Sequence, residues 1–312
     1  MSKTAKIHQL TIVQFEAQFP DDDACKSYLM NTRWPDGVVR CPRCLNEGVH
    51  ALPSKPFHWT CNKCAADRTN YRFSVTVDTI FENTNKGLRQ WFRVIHLMLT
   101  SKKGISALQV QRYMGFGSYE TAHSMCHKIR TALMDVEFQK LMGFVEVDET
   151  YVGGKIANKH KDKRGGPGGT GGGSTGTGGQ GTGKQVVIGA VQRKGNVVAR
   201  VIANTDTNTL HAFVREAVST KVSLISTDEH SGYRHLHREF THGMVRHSRG
   251  EYVAGAVHTN TIEGFWSLIK RGVVGTYHKV SAKYLPLYVA EFQFRYNNRL
   301  NADIFGSAVA GC

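Results

Sequence analysis

Apolar residues recur at three- and four-residue steps from Leu88, through Trp91, Phe92 and Ile95, to Leu99. That period marks one face of an α-helix. Gly104 interrupts it, and Ile105, Leu108 and Met114 predict a short second helix. Gly115-Phe116-Gly117 reads as a turn, with Ser118 as the N-cap of a third helix. This third helix places Ala122, Met125, Cys126, Ile129 and Leu133 on one face. Its other face carries Tyr119, His123, His127, Lys128 and Arg130. Further upstream, Asp21, Asp22 and Asp23 predict a solvated helix start, since acids complement the N-terminal end of the helix dipole. The texture changes at residue 143. Residues 144–147, 185–192, 197–203 and 223–227 read as strands, with a helix over 207–218 and another over 260–271. Three strands, a helix, a strand and then long helices form an α/β pattern.

An insert between the first two strands departs from that pattern. Residues 165–183 are almost entirely Gly, Thr and Ser, after the basic run Lys159-His160-Lys161-Asp162-Lys163-Arg164. Such a stretch is expected to be a mobile loop, either a basic flap over DNA or a tolerated insertion at a hairpin tip. It is not a phosphate-cradling loop, because Gln185 stands where Ser or Thr is required after Lys184. The expected organisation is multidomain, α+β and α/β. It runs as an N-terminal helical segment over 1–38, a ribbon over 39–75, a helical region over 76–138 and a mixed-sheet domain over 139–312.

Charge narrows the partners. The chain has 312 residues, with 40 Lys and Arg against 25 acids, a formal charge of +15. That excess favours a polyanion, with nucleic acid first. Helix, glycine turn and helix with a basic face is compatible with a helix-turn-helix on DNA, and also with any small helical bundle. No run reaches the roughly 18 apolar residues of a membrane helix. Seven cysteines, an odd number, and no signal-peptide pattern point to a reducing compartment and a cytoplasmic protein.

Four of the cysteines form two knuckles, Cys41-Pro42-Arg43-Cys44 and Cys61-Asn62-Lys63-Cys64, with sixteen residues between Cys44 and Cys61. Two such turns give four thiolates for a tetrahedral Zn²⁺ site, which when closed is structural. Trp59 supplies part of the small core that zinc must supplement. Arg43 and Lys63 make the ribbon basic, which suits contact with DNA ends or with protein.

Three acids resist explanation as packing. Asp148 closes the run Phe144-Val145-Glu146-Val147, Asp228 follows residues 223–227, and Glu263 lies early in the 260–271 helix. Alternation puts Glu146 and Asp148 on one sheet face and Glu149 on the other. Asn260, Glu263 and Lys270 lie near one helix face. Trp266 is placed either to stack on a base or to pack on the sheet, as aromatics at helical spacing usually do. Lys270 and Arg271 sit where a phosphate would approach. Mg²⁺ or Mn²⁺ takes a few carboxylates plus water and phosphate oxygens. Two such ions about 4 Å apart activate a hydroxyl and stabilise a leaving oxygen. Three unrelated surface acids would show the same spacing.

The surroundings of these acids carry a resemblance. Val145-Glu146-Val147-Asp148-Glu149-Thr150-Tyr151-Val152-Gly153-Gly154-Lys155, Ser226-Thr227-Asp228-Glu229-His230-Ser231-Gly232-Tyr233 and His258-Thr259-Asn260-Thr261-Ile262-Glu263-Gly264-Phe265-Trp266-Ser267-Leu268-Ile269-Lys270-Arg271-Gly272 resemble the catalytic segments of the IS1595 group of insertion-sequence DDE transposases. So does the tail Glu291-Phe292-Gln293-Phe294-Arg295-Tyr296-Asn297-Asn298-Arg299. The likeness runs from about Phe15 to Arg299, with the zinc knuckles in place. It implies a ribonuclease-H-like domain that cleaves transposon ends with Mg²⁺ or Mn²⁺ and joins the freed 3′ hydroxyl to target DNA. It implies Asp148, Asp228 and Glu263 as the metal-binding triad, with Lys270 beside them. It implies double-stranded DNA as partner, met at Arg43, Lys63, Lys128, Arg130, Asn260, Trp266, Lys270 and Arg271, and a homodimer or larger assembly that brings two ends together. The competing readings are a zinc-ribbon and helix-turn-helix regulator without catalysis, and a ribonuclease-H-like nuclease that cuts but does not join.

Overall fold

The computed structural model describes residues 10–64, 71–134, 138–153, 184–245 and 257–312. The glycine-rich segment 165–183 and the basic run before it lie outside the described residues. The chain divides into two compact units, residues 1–133 with 298–312, and residues 134–297.

The first unit opens with helix α1 (Ile12–Gln18), closed at its start by a reciprocal cap between Thr11 and Gln14. Helix α2 (Asp22–Arg33) starts on Asp21, whose carboxylate accepts from the Ala24 N–H at 2.8 Å, so the acid run is a helix start. Three short antiparallel strands follow in the order β1 (Val49–Ala51), β2 (His58–Cys61) and β3 (Tyr71–Ser74). Helix α3 (Leu88–Thr100) buries the predicted stripe together with Val94 and Met98. Helix α4 (Ala107–Met114) stops on Gly115, whose left-handed backbone, φ 65°, suits glycine. Ser118 then caps α5 (Tyr119–Ala132) as expected, accepting from the Glu120 N–H at 3.1 Å.

The second unit is built on a five-stranded mixed sheet in the order β6-β5-β4-β7-β8. Strands β4 (Phe144–Val152), β5 (Gln185–Gln192) and β6 (Val197–Ile202) form an antiparallel meander. Helix α6 (Thr207–Ala217) then crosses, so that β7 (Leu224–Thr227) pairs parallel to β4 and β8 (His242–Met244) parallel to β7. Alternation along the strands fills both faces. One face packs Val145, Val147, Ile188 and Ile225 with Leu210 and Val214 of α6 and with Tyr233. The other packs Val187, Val191 and Val197 beneath α7 (Asn260–Gly272) and α8 (Leu285–Asn297), through Ile262, Phe265, Trp266, Val289 and Phe292. A π-helical turn, Val273–Tyr277, continues α7. Two side chains of α8 occupy backbone groups along the edge strand β6. Gln293 accepts from the Ala199 N–H at 2.8 Å, and Asn297 accepts from the Val197 N–H at 2.8 Å.

One boundary differs from expectation. The last helix, α9 (Ile304–Ala310), belongs to the first unit and not to the mixed-sheet domain. Its Ile304, Phe305, Ala308 and Val309 recur at helical spacing and are buried. Phe305 meets the rings of Phe15, Phe19, Tyr28 and Phe92, with centroids 5.5–6.1 Å apart. An amphipathic helix settles where its apolar face finds the largest matching surface, and that surface is the aromatic cluster of α1, α2 and α3.

Candidate active site

Asp148 lies in mid-strand. Strand β4 continues to Val152, paired with β5 through Asp148 and Gly189. The opening arises because β7, on the other side, stops at Thr227 and Asp228 follows directly. Asp148, Glu149 and Asp228 each offer a carboxylate oxygen, and these oxygens lie within 4.8 Å of one another. Asp228 is held by its own turn, since its Oδ1 accepts from the His230 N–H at 3.0 Å. Thr227 donates its hydroxyl to the Asp228 carbonyl at 2.9 Å and lies 2.8 Å from His242 Nε2. Burial pushes the His242 imidazole down to about 4, so the ring is neutral and donates to Thr227.

Three carboxylates this close repel one another. Burial, then the charges of Asp228 and Glu149, push the Asp148 carboxyl up from 3.8 to about 7. Trp266 opposes this shift. Its indole N–H donates to Asp148 Oδ2 at 3.0 Å. Gly189 makes room for that indole, because a Cβ there would stand 2.6 Å from the Trp266 ring. Glu149 leaves β4 on the opposite face. The Tyr233 hydroxyl donates to its Oε2 at 2.7 Å, and His230 Nε2 lies 3.7 Å from its Oε1. Burial raises the Glu149 carboxyl as well, while the Tyr233 hydrogen bond holds it down.

Glu146 positions the helix that carries Glu263. It is fully buried and accepts from the backbone N–H groups of Thr261 at 2.7 Å and Ile262 at 3.1 Å. It thereby caps α7 from outside the helix, which has no side-chain cap of its own at Thr259. Arg193 Nε donates to the same carboxylate at 2.7 Å, and His258 Nδ1 lies 3.1 Å away. Glu263 is exposed on the first turn of α7, where the Thr259 hydroxyl donates to its Oε1 at 2.9 Å. It lies outside the close group of three acids.

In the first unit, Cys41, Cys44, Cys61 and Cys64 bring their sulfurs within 4.8 Å of one another. The Cys41–Cys64 and Cys44–Cys61 separations are both 3.7 Å. A tetrahedron with Zn–S bonds of about 2.3 Å has edges of about 3.8 Å, so the donor set fits zinc. Burial pushes the Cys61 thiol up, but the Cys64 N–H and the neighbouring thiols outweigh it and bring Cys61 down to about 7.

Comparison with known proteins turns on the second unit. The profile of the ISXO2-like transposase domain, of the IS1595 group, matches residues 140–297, just over half of the chain. The chain belongs to this transposase family. The transposase zinc-ribbon domain matches residues 20–67, which include all four cysteines. A relative, an uncharacterized protein in transposable element ISH50 of Halobacterium salinarum, is 28% identical over 282 residues, covering 89% of this chain and 91% of the relative. No solved structure matches.

The transposase thus brings Asp148 and Asp228 together and adds Glu149, with Glu263 on the neighbouring helix. Asn260, Lys270 and Arg271 are exposed on α7, and Arg43, Lys63 and Lys128 are exposed in the first unit. Two of the expected DNA contacts are buried. Arg130 is 1% exposed, since it follows Cys126 by four residues and turns inward with it. Trp266 is 3% exposed and packs on β5. Its indole N–H is directed at Asp148. Sequence reasoning passed over Glu149 and Tyr233. The signals were present, since Glu149 adjoins Asp148 and Tyr233 closes the segment that begins at Ser226. No helix of the described residues is long and apolar enough to cross a membrane.

Proposed function

We propose that this transposase cleaves DNA at the ends of its element and joins the freed 3′ hydroxyl to target DNA at the Asp148–Asp228 site. One observation carries the reading: two aspartates on adjacent parallel strands converge where β7 ends, within 4.8 Å of a third carboxylate. A three-strand antiparallel meander extended by two parallel strands supports a ribonuclease-H-like domain. The donor set supports Mg²⁺ or Mn²⁺. It consists of carboxylate oxygens, which hard divalent cations prefer, and burial together with the charges of Asp228 and Glu149 raises the Asp148 carboxyl, a cost that a bound cation would offset. When bound, a pair of such ions activates the attacking hydroxyl and stabilises the leaving oxygen.

The chain's own groups do the positioning. Asp148 and Asp228 would hold the ions, with Glu263 joining from α7. Trp266 fixes the Asp148 rotamer by its 3.0 Å hydrogen bond. Glu146 ties the start of α7 to β4, which sets the position of Glu263 relative to Asp148. Lys270 and Arg271, in the last turn of α7, offset phosphate charge, and Asn260 is exposed at its first turn. In the first unit, Arg43 and Lys63 of the ribbon contact DNA, and Lys128 on α5 contacts a phosphate from a helix-turn-helix formed by α4 and α5. Joining two ends requires a dimer or larger assembly on DNA.

The test is a strand-transfer assay on the inverted repeats that flank the gene. Mg²⁺ or Mn²⁺ should support both cutting and joining, and Asp148→Asn or Asp228→Asn should abolish both while DNA binding persists. Unchanged cleavage by both variants would overturn the site. Cut ends that are never joined would favour the nuclease, and binding without any cutting the regulator.

A further inference from the structure

Glu149 reaches the metal space from the wrong side of its strand. Asp148 faces α7, whereas Glu149 faces the α6 side of the sheet, and their oxygens still meet at the end of β7. The meeting is possible because β7 stops at Thr227, so beyond that point no strand separates the two faces on that side.

The glutamate is held by a buried hydroxyl. Tyr233 is 0% exposed, and its hydroxyl donates to Glu149 Oε2 at 2.7 Å. That bond fixes one oxygen and leaves Oε1 to other partners. Among the described residues, the basic side chain in ion-pair range of these three acids is His230, whose Nε2 lies 3.7 Å from Oε1. The His230 Nδ1 already accepts the Gly232 N–H at 3.1 Å, which places the proton of the neutral ring on Nε2. A carboxylate buried beside two others without an arginine or lysine is costly unless a cation is bound there. Glu263 is differently placed, exposed and hydrogen-bonded to Thr259 of its own helix.

We propose that Glu149 is a ligand of the divalent cation, completing with Asp148 and Asp228 a three-carboxylate site that loads before DNA arrives, and that Tyr233 is its positioning residue. Glu263 is not required for that first loading. The inference rests on the metal-dependent reading of the Asp148–Asp228 site. It extends that reading to a residue outside the expected triad and to an order of events. Tyr233 acts as the outer partner that orients a ligating carboxylate, a role whose loss typically lowers metal affinity about 10- to 100-fold.

The experiment titrates Mn²⁺ into the full chain without DNA and reads free Mn²⁺ by electron paramagnetic resonance. The parent should bind Mn²⁺ and Asp148→Asn should lose it. Glu149→Gln should weaken binding by about tenfold or more, and Tyr233→Phe by about tenfold. Glu263→Gln should weaken binding less than Glu149→Gln does, as expected of a group outside the close cluster. Circular dichroism checks that each variant is folded. Should Glu149→Gln fail to fold, Glu149→Asp retracts the carboxylate while keeping its charge and should weaken Mn²⁺ in the same way. Parent-like affinity in the folded Glu149 variant, with binding lost in Asp148→Asn, would overturn the role of Glu149 and leave the aspartate site standing. A loss in Glu263→Gln equal to that in Glu149→Gln would overturn the order. Absence of Mn²⁺ binding by the parent would overturn both this inference and the metal reading beneath it.

Discussion

Replacing Asp148 with Asn should stabilise the chain at alkaline pH, without added divalent metal, while removing the reaction. The Asp148 carboxyl is raised from 3.8 to about 7 by burial and then by the charges of Asp228 and Glu149. The folded chain therefore holds this proton more tightly than the unfolded chain does. The resulting stabilisation is complete below about pH 4 and is lost as pH rises through about 7. The full span corresponds to about 4 kcal/mol. Asp148 is partly exposed, and solvent screening reduces the expected effect to about 1–2 kcal/mol. Asn retains an oxygen for the Trp266 N–H and removes the charge. The assay is urea unfolding followed by circular dichroism at pH 8 and pH 4. At pH 8 Asp148→Asn should unfold at higher urea than the parent, and at pH 4 the gap should close. Added Mg²⁺ should then stabilise the parent but not the variant, because only the parent binds it. A variant no more stable than the parent at pH 8 would refute the argument that carboxylate repulsion strains this site.

Glu146→Ala should destabilise the second unit by about 3 kcal/mol, since it strands Arg193 and two helix N–H groups. A loss below about 1 kcal/mol in urea unfolding would show that α7 is anchored by its apolar face alone. Gly189→Ala places a Cβ 2.6 Å from the Trp266 ring, and should cost about 1–3 kcal/mol as well as displacing the indole from Asp148. Unchanged stability and unchanged cleavage would contradict that packing. Removing zinc with a strong chelator should unfold the ribbon and shift the emission of Trp59 to the red, with recovery on adding Zn²⁺. Emission that does not move would count against a structural zinc.

The helices and strands with strong period were legible before any coordinates. The α3 stripe, the Ser118 cap, the Asp21 helix start and β5 all lie where alternation and capping place them. The zinc ligands were equally plain, because their chemistry is local and each knuckle spans four residues. The acid site was legible only in part. Asp148 and Asp228 are brought together by a strand pairing across 80 residues, and the family motifs, not periodicity, selected them. Alternation assigned Glu149 correctly to the far face, yet the far face still reaches the site, because the neighbouring strand is short. That depends on where β7 ends, which no residue of β4 encodes. Trp266 packs on the sheet, the usual outcome for an aromatic at helical spacing, whereas the inward turn of Arg130 was not expected. Arg130 lies at the margin of the α5 stripe, one position beyond Ile129, where helical spacing alone does not decide whether a side chain is covered.

The return of α9 to the first unit sets an order of synthesis. Ile304 and Phe305 line the aromatic core around Phe15, Phe19 and Phe92, yet they are made after every residue of the mixed-sheet unit. The mixed-sheet half is thus translated whole while the core of the ribbon-bearing half still lacks α9. A gene copy truncated after Asn297 would keep every candidate catalytic acid and lose part of the half that carries the zinc ribbon. Helix α9 thereby ties the integrity of the ribbon-bearing unit to translation past Asn297.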